Sequence, residues 1–520
     1  MEASTPVEAK KSSSTTPMPT VALAASNAAQ SPSQTFQGYE SVNGISLSTA
    51  TEGKVVTEGA SSAVNYSVNL DSTSLSQSLE IDQSLSVGFG PFGGGDEKMK
   101  FFKSLNVTTY SVTILVFARH SIGSTNVVDV NLKAGITPPT TQQQMIDFFR
   151  GYGDSYTSSV TQGGEYYATY TFYSQTQQEQ DSLVVDMKAK GIFDVVTVDA
   201  SLQTKLNSFI STTNVRVSFN QSVSGIRNPS LPNADHIIEY ALSFPSIPLD
   251  APAIIGFQTT GYEHVPGFGS FQPIAANRTY FIGKGTDDGG LTEKLVEIVE
   301  LQDQINWIKS IYTFYGGYTD TQLNTVSDQA AANRSTINQQ MQAYQDNPTQ
   351  SFTLPPLPCL QYGSPTLTYN IGSSSQWGGG GGSSFDDVNV LTWLHNKTTV
   401  SALQLRTGSR VDKLIVTYKS TQGTWVDEHG GNGGSASNVL TLLPGQFIQR
   451  LNGRSGSRVD QLNITLTDGR SVGGGGGGGS PYDWSVPNGS FVLGFSGRSG
   501  AELDAVRAVY ATFTPAKWNQ

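Results

Sequence analysis

The chain has 520 residues, 37% hydrophobic and 14% charged, with a formal net charge of −11 and an isoelectric point near 5.0. That length exceeds one ordinary core and implies two domains. The acidic balance, with no Lys/Arg cluster, excludes nucleic acid as a partner and electrostatic attraction to anionic lipid as the main source of affinity. A single cysteine, Cys359, excludes an internal disulfide. The five histidines are scattered at 120, 236, 264, 395 and 429 without the spacing of a metal site. There is no HExxH, GxSxG or phosphate-loop motif, so no metal, cofactor or enzymatic activity is expected.

Residues 1–35 read as a disordered Ser/Thr/Pro tail. They lack the charged start and apolar core of a signal peptide, and no stretch of 18 apolar residues follows, so a soluble protein is expected. In 79–89, Leu79, Ile81, Leu85, Val87 and Phe89 lie on one face of an extended chain, with Glu80, Asp82, Ser84 and Ser86 on the other. After the glycine-rich break GPFGGGDEK (90–98), alternation resumes with Tyr110, Val112, Ile114 and Val116. Next comes YGDSYTSSVTQGGEYYATYTF (152–172), in which Tyr152, Gly153 and Tyr156 precede the pair Gly163 and Gly164. A second alternating pair, 165–173 and VRVSFN (215–220, with Val215, Val217 and Phe219 on one side), brackets helix-compatible stretches in 178–210. Alternation is also the pattern of an ordinary half-buried strand.

The string Tyr-Gly-x-x-Tyr, six residues, then Gly-Gly resembles the signature of the membrane attack complex/perforin (MACPF) family, with Ser155 where that family usually has histidine. The resemblance implies an α+β domain over 36–351: a bent central antiparallel sheet flanked by helical clusters. It implies that Gly163 and Gly164 lie where the sheet bends, and glycine is suited to such a bend. It also implies that segments 75–100 and 178–220 are stored as helices and released as two membrane-inserting β-hairpins per subunit. The inserting residues would be Leu79, Ile81, Leu85, Val87, Phe89, Val215, Val217 and Phe219. A ring-shaped homo-oligomer formed on target-cell lipid from a soluble monomer follows, because a shared barrel leaves no strand edge in lipid.

Downstream, 237–246 and 252–265 read as further strands. Leu295, Ile298, Leu301, Ile305 and Ile308 stand at helical spacing within 291–315, and a second helix follows. The Pro-rich stretch at 352–373 reads as an interdomain linker. The remainder is triplicated. LQLRTGSRVDKLIVTY (403–418), QRLNGRSGSRVDQLNITL (449–466) and LGFSGRSGAELDAVRAVY (493–510) align on Arg406, Arg454 and Arg498, and on Asp412, Asp460 and Asp504. Each unit carries a glycine cluster, at 378–382, 430–434 and 473–479.

Three such units resemble the jacalin-like β-prism lectins over 374–516. The resemblance implies an all-β prism in which a glycine loop faces an aspartate. Loop 430–434 would serve Asp412, 473–479 would serve Asp460 and 378–382 would serve Asp504. The implied carbohydrate-binding residues are Gly408 and Asp412, Gly456 and Asp460, and Gly500 and Asp504, with Gly378, Gly379, Gly430 and Gly431. A carboxylate can accept from two hydroxyls while glycine amides donate. Arg410 and Arg458 stand where the third unit has Glu502, so the sites are unequal. Together the two resemblances imply a glycan-docking pore-forming protein, with an insecticidal or defence role by analogy to two-domain proteins of bacteria and ferns. A non-lytic adhesion protein and a glycan-processing enzyme are the alternatives.

Overall fold

The computed structural model describes residues 32–79, 101–102, 105, 107, 110–174, 177–193, 195, 197–213, 215–284, 290–388, 393–394, 396–421 and 423–519. Residues 1–31 and 285–289, and Ile81, Leu85, Val87 and Phe89, lie outside them.

The N-terminal part is built on one antiparallel sheet. Its two central strands are β5 (Ser111–Leu132) and β6 (Ser155–Tyr173). Around them pair β1 (Gly38–Glu40), β2 (Ile45–Leu47), β3 (Thr51–Glu58), β4 (Ser61–Asn69), β7 (Arg216–Val223) and β8 (Ala253–Gly261). Alternating residues of β5 and β6 face opposite sides. Val112, Ile114, Val116, Tyr166, Ala168 and Phe172 are buried with residues of α3 (Gln177–Ala189), α4 (Ala200–Thr212) and α5 (Ile237–Ser243). On the other face Leu115, Phe117 and Tyr167 are buried with Leu75 of α1 (Ser72–Ser78), Leu79, Phe101 and Leu105.

Three expectations need correction. Segment 237–243 is a helix, because Ile237, Ile238, Ala241 and Phe244 fall on one face at helical spacing and all are fully buried. Val217 and Phe219 belong to β7, a resident strand of the sheet, and are not stored in a helix. Phe219 lies opposite Tyr170 with ring centres 5.3 Å apart, and Val217 opposite Phe172, which are cross-strand pairs that favour the extended form. Val215, just before the strand, is partly buried against the same core. Third, the stretch 352–373 is not a free linker. Cys359 is buried, its thiol pushed up to about 11 by burial, and its amide donates to Asn333 Oδ1 at 3.3 Å. Residues Ser364–Ser373 form β9, paired with the last strand of the chain.

Four further helices, α2 (Gln142–Tyr152), α6 (Gln272–Ile282), α7 (Gly290–Phe314) and α8 (Thr321–Asp346), complete this part. α7 buries Leu295, Ile298, Leu301, Ile305 and Ile308 in a core continuous with the C-terminal part.

That C-terminal part is three small sheets. The first contains β9, β10 (Trp377–Gly378), β11 (Ser383–Asp386), β21 (Ser490–Ser499) and β22 (Leu503–Asn519). The second contains β12 (Thr399–Thr407), β13 (Val411–Ser420), β14 (Gly423–Gly430), β15 (Ser435–Ala436) and β16 (Leu440–Thr441). The third contains β17 (Ile448–Ser455), β18 (Val459–Leu466), β19 (Ser471–Gly475) and β20 (Ser480–Ser485). The inward residues Leu403, Leu405, Leu451, Leu462, Leu493 and Leu503 meet in one interior. Tyr315 stacks on Phe491 at 4.4 Å, and Asp320 caps α8 while accepting from the Ala516 amide at 2.7 Å, so the prism is packed onto the helices.

Candidate functional site

The same corner is built three times. Hairpins β12–β13, β17–β18 and β21–β22 carry a bulge at Arg406/Thr407, Arg454/Ser455 and Arg498/Ser499. Each following turn is closed by a glycine amide: Gly408 to the Arg410 carbonyl at 2.9 Å, Gly456 to Arg458 at 3.0 Å and Gly500 to Glu502 at 3.0 Å. The aspartate follows. Its carbonyl accepts from a glycine of the facing loop, Gly431 for Asp412 (2.9 Å), Gly476 for Asp460 (2.8 Å) and Gly379 for Asp504 (2.9 Å).

The next glycines lie directly on the carboxylates. A Cβ on Gly433 or Gly434 would collide with the carboxylate of Asp412, one on Gly478 or Gly479 with that of Asp460, and one on Gly381 or Gly382 with that of Asp504. Gly434, Gly479 and Gly382 also have φ of 59°, 63° and 63°, where glycine is favoured. Gly378 and Gly430 (φ 114° and 119°) open their loops against the backbone of Asp504 and Asp412. The structure therefore joins each glycine loop to the aspartate paired with it from the sequence.

The repeated arginines have a role that alignment alone did not reveal. Arg406 donates to the carbonyls of Asn432, Gly433 and Gly434 at 2.9–3.1 Å. Arg454 holds Gly478 and Gly479, and Arg498 holds Gly381 and Gly382, in the same way. Each arginine holds the carbonyls of a glycine-rich loop in a fixed shape. Recurrence at one position in all three units was the available signal. What such a corner can do chemically is accept hydrogen bonds from adjacent hydroxyls on the carboxylate while backbone amides donate.

The second region of interest is the level at which the N-terminal sheet changes partners. Strand β6 pairs with β8 over 155–163 and with β7 over 166–173. Strand β5 pairs with β4 up to Ser121 and with β3 from Ser124. Both switches fall beside Gly163 and Gly164. A Cβ on Gly163 would strike the His120 carbonyl, and one on Gly164 the Leu249 side chain and the Ser224 carbonyl. The next residue, Glu165, is buried and takes Arg119 Nε at 2.8 Å, Arg119 Nη2 at 2.7 Å and the Tyr167 hydroxyl.

At the other end of β6, Tyr152 closes α2 and Gly153 turns the chain with φ 82° against the Tyr39 carbonyl. Tyr156 is buried in the helical core. Between them Asp154, which sequence reasoning passed over, is fully buried. It accepts from Ser41 Oγ at 2.6 Å and the Tyr344 hydroxyl at 2.9 Å. Burial, with Asp154 alongside, pushes the Glu40 carboxyl up to about 8.

Leu79 is fully buried after α1, against the sheet. Among the described residues no group of three His, Cys, Asp or Glu side chains could hold a metal ion, and no helix is long and apolar enough to cross a membrane.

Residues 374–509 match the family described as Jacalin-like lectin domain. Among solved structures, a Malaysian banana lectin is 22% identical over 28% of this chain and 99% of its own, with a TM-score of 0.24. AcmJRL, a mannose-binding jacalin-related lectin from Ananas comosus, is 24% identical over 28% of this chain and 99% of its own, with a TM-score of 0.24. Artocarpin, in a complex with mannotriose, is 22% identical over 26% of this chain and 95% of its own, again at 0.24. No curated protein matches the chain. The chain thus carries a jacalin-like lectin domain at 374–509, a carbohydrate-binding type of domain.

Proposed function

We propose that the protein docks through its prism on glycans of a target membrane, assembles with copies of itself, and inserts two β-hairpins per subunit into a shared transmembrane barrel. The observation that carries this reading is the connection between neighbouring strands. Strands β4 and β5 end their pairing at Asn69 and Thr113, and β6 and β7 at Tyr173 and Arg216. Antiparallel neighbours need only a two-residue turn. Here 43 residues (70–112) and 42 residues (174–215) intervene instead. Each excursion leaves the sheet where its flanking strands could simply continue, and the described residues of each pack on one face of that sheet. Extended, either gives roughly 20 residues per strand, against the roughly ten needed to cross a bilayer at the usual tilt. The glycines at 163–164, where both central strands exchange partners, supply a place for the sheet to open. Insertion demands assembly, because lipid tolerates no open sheet edge. Action on target cells by lysis rather than turnover, in defence or against insects, is the biological setting of this reading.

The test is dye release from vesicles prepared from target-cell membranes. Cysteines are placed at Asn69 and Ser78, whose side chains meet at 2.7 Å, to pin α1 to β4. Leakage by the wild type, and by the pinned form only after reduction, is the expected result. Binding without leakage by either form, reduced or oxidised, would remove the pore and leave a non-lytic adhesion protein.

A further inference from the structure

The three corners are alike in backbone and unlike in charge, and the charges run round the prism in one direction. The glycine loop of each corner abuts the turn of another repeat. A Cβ on Gly476, in the corner of Asp460, would strike the Ser409 carbonyl; one on Gly379, in the corner of Asp504, the Ser457 carbonyl; one on Gly431, in the corner of Asp412, the Ala501 carbonyl. In two of the three cases the residue after the contact reaches the aspartate of that corner. Arg410 follows Ser409, and its Nε lies 3.9 Å from Asp460. Arg458 follows Ser457, and its Nη1 is paired with Asp504. Glu502 follows Ala501, at the corner of Asp412. Its carboxylate is drawn away by Arg458 Nε at 2.7 Å and Arg410 Nη1 at 3.1 Å. Among the described residues no cation is paired with Asp412. Lys413 beside it is taken by Glu428 at 2.7 Å and Asn432 Oδ1 at 2.9 Å.

We infer that the corner of Asp412 is the working saccharide site and that Arg458 closes the corner of Asp504, with Asp460 partly obstructed by Arg410. This rests on the carbohydrate-binding reading and adds which corner is used. A neutral hydroxyl bonding to Asp504 must displace a guanidinium already placed in charge-assisted contact, which is the stronger bond. Asp504 is also the most enclosed, its side chain 4% exposed against 14% for Asp460. At Asp412 both carboxylate oxygens and the held Gly433–Gly434 backbone are offered without such a competitor. The ligand class is a neutral sugar presenting two adjacent hydroxyls.

The experiment is calorimetric titration of the full chain with the methyl α-glycosides of mannose, glucose and galactose. Wild type is expected to take up one equivalent of at least one glycoside. Asp412→Asn, nearly isosteric, is expected to lose at least tenfold in affinity. Arg458→Ala is expected to raise the stoichiometry to two, and adding Asp504→Asn to it should return the value to one. Wild-type uptake of three equivalents, or undiminished uptake by Asp412→Asn, overturns the inference while the lectin reading stands. No uptake of any glycoside by wild type or Arg458→Ala overturns both.

Discussion

The prism and the N-terminal sheet are both antiparallel, yet they treat their connections in opposite ways. In the prism, strands β12 and β13, β17 and β18, and β21 and β22 are joined by short turns whose backbone is tied off by a glycine amide and whose facing loop is clamped by an arginine. Nothing in that arrangement has anywhere else to go. In the N-terminal sheet, the pairs β4–β5 and β6–β7 are joined by excursions of more than 40 residues, whose described residues pack on the two faces. The buried side chains of α1, α3 and α4 cover the sheet, whereas in the proposed pore the strands they interrupt would continue instead. The two regions are packed against each other, with Tyr312, Tyr315 and Asp320 between them. Two-state elements arise where such alternatives compete.

The largest effect that would break this contrast is expected at the sheet's bend. Gly163→Val puts a branched side chain into the His120 carbonyl and against Ile255. The cost is about 3 kcal/mol, the upper end of the usual range for core overpacking. Denaturant unfolding should show it as a lower midpoint. A variant of wild-type stability would mean that the bend does not need glycine.

Next comes pH. Glu40 is raised because it is buried beside Asp154, so the folded state holds its proton more tightly than the unfolded chain does. The corresponding stability is complete below the ordinary carboxyl value of 4.5 and is lost as pH rises toward about 8. The difference in melting midpoint between wild type and Glu40→Gln should therefore shift steadily in favour of the variant across that window. A constant difference would show that Glu40 titrates normally. Prism sugar binding should not follow the same curve.

In the prism, Arg406→Ala removes three bonds to loop carbonyls but leaves the sheet intact. The loss is expected at about 1–2 kcal/mol, discounted for an arginine at the surface. Glycoside affinity should fall more than stability does, since the loop and not the core is released. Equal falls would make the arginine merely structural.

What the sequence made legible follows the same division. Repetition exposes equivalence, so the glycine loops, their aspartate partners and the odd residue Glu502 could all be read from three aligned strings. Contacts between repeats could not, because Arg458 meets Asp504 only once the prism closes. In the N-terminal part the alternation marked true strands over 111–118 and 165–173. That of 215–220 also did, although it was assigned to a released segment. Short apolar runs misled at 237–243, where IIEYALS fits either period until Phe244 is seen packing with Ile237 and Ile238. Asp154 was passed over because a buried carboxylate is defined by Ser41 and Tyr344, 113 and 190 residues away.

The smallest effect probes the seam between the two regions. Tyr110, at the end of the first excursion, shares a 2.6 Å hydrogen bond with Thr366 Oγ1 of the prism strand β9, and Asn519 Nδ2 also donates to Thr366 Oγ1, at 3.1 Å. Tyr110→Phe keeps the buried ring and deletes this bond together with the long 3.5 Å one that Asn519 Nδ2 donates to the Tyr110 hydroxyl, a change of about 0.5–1.5 kcal/mol. If the excursion is held back partly by the prism, the variant should leak dye from vesicles faster than wild type, with glycan binding unchanged. A stability loss of that size without faster leakage would mean that this bond restrains only the resting fold, and that the two regions release independently.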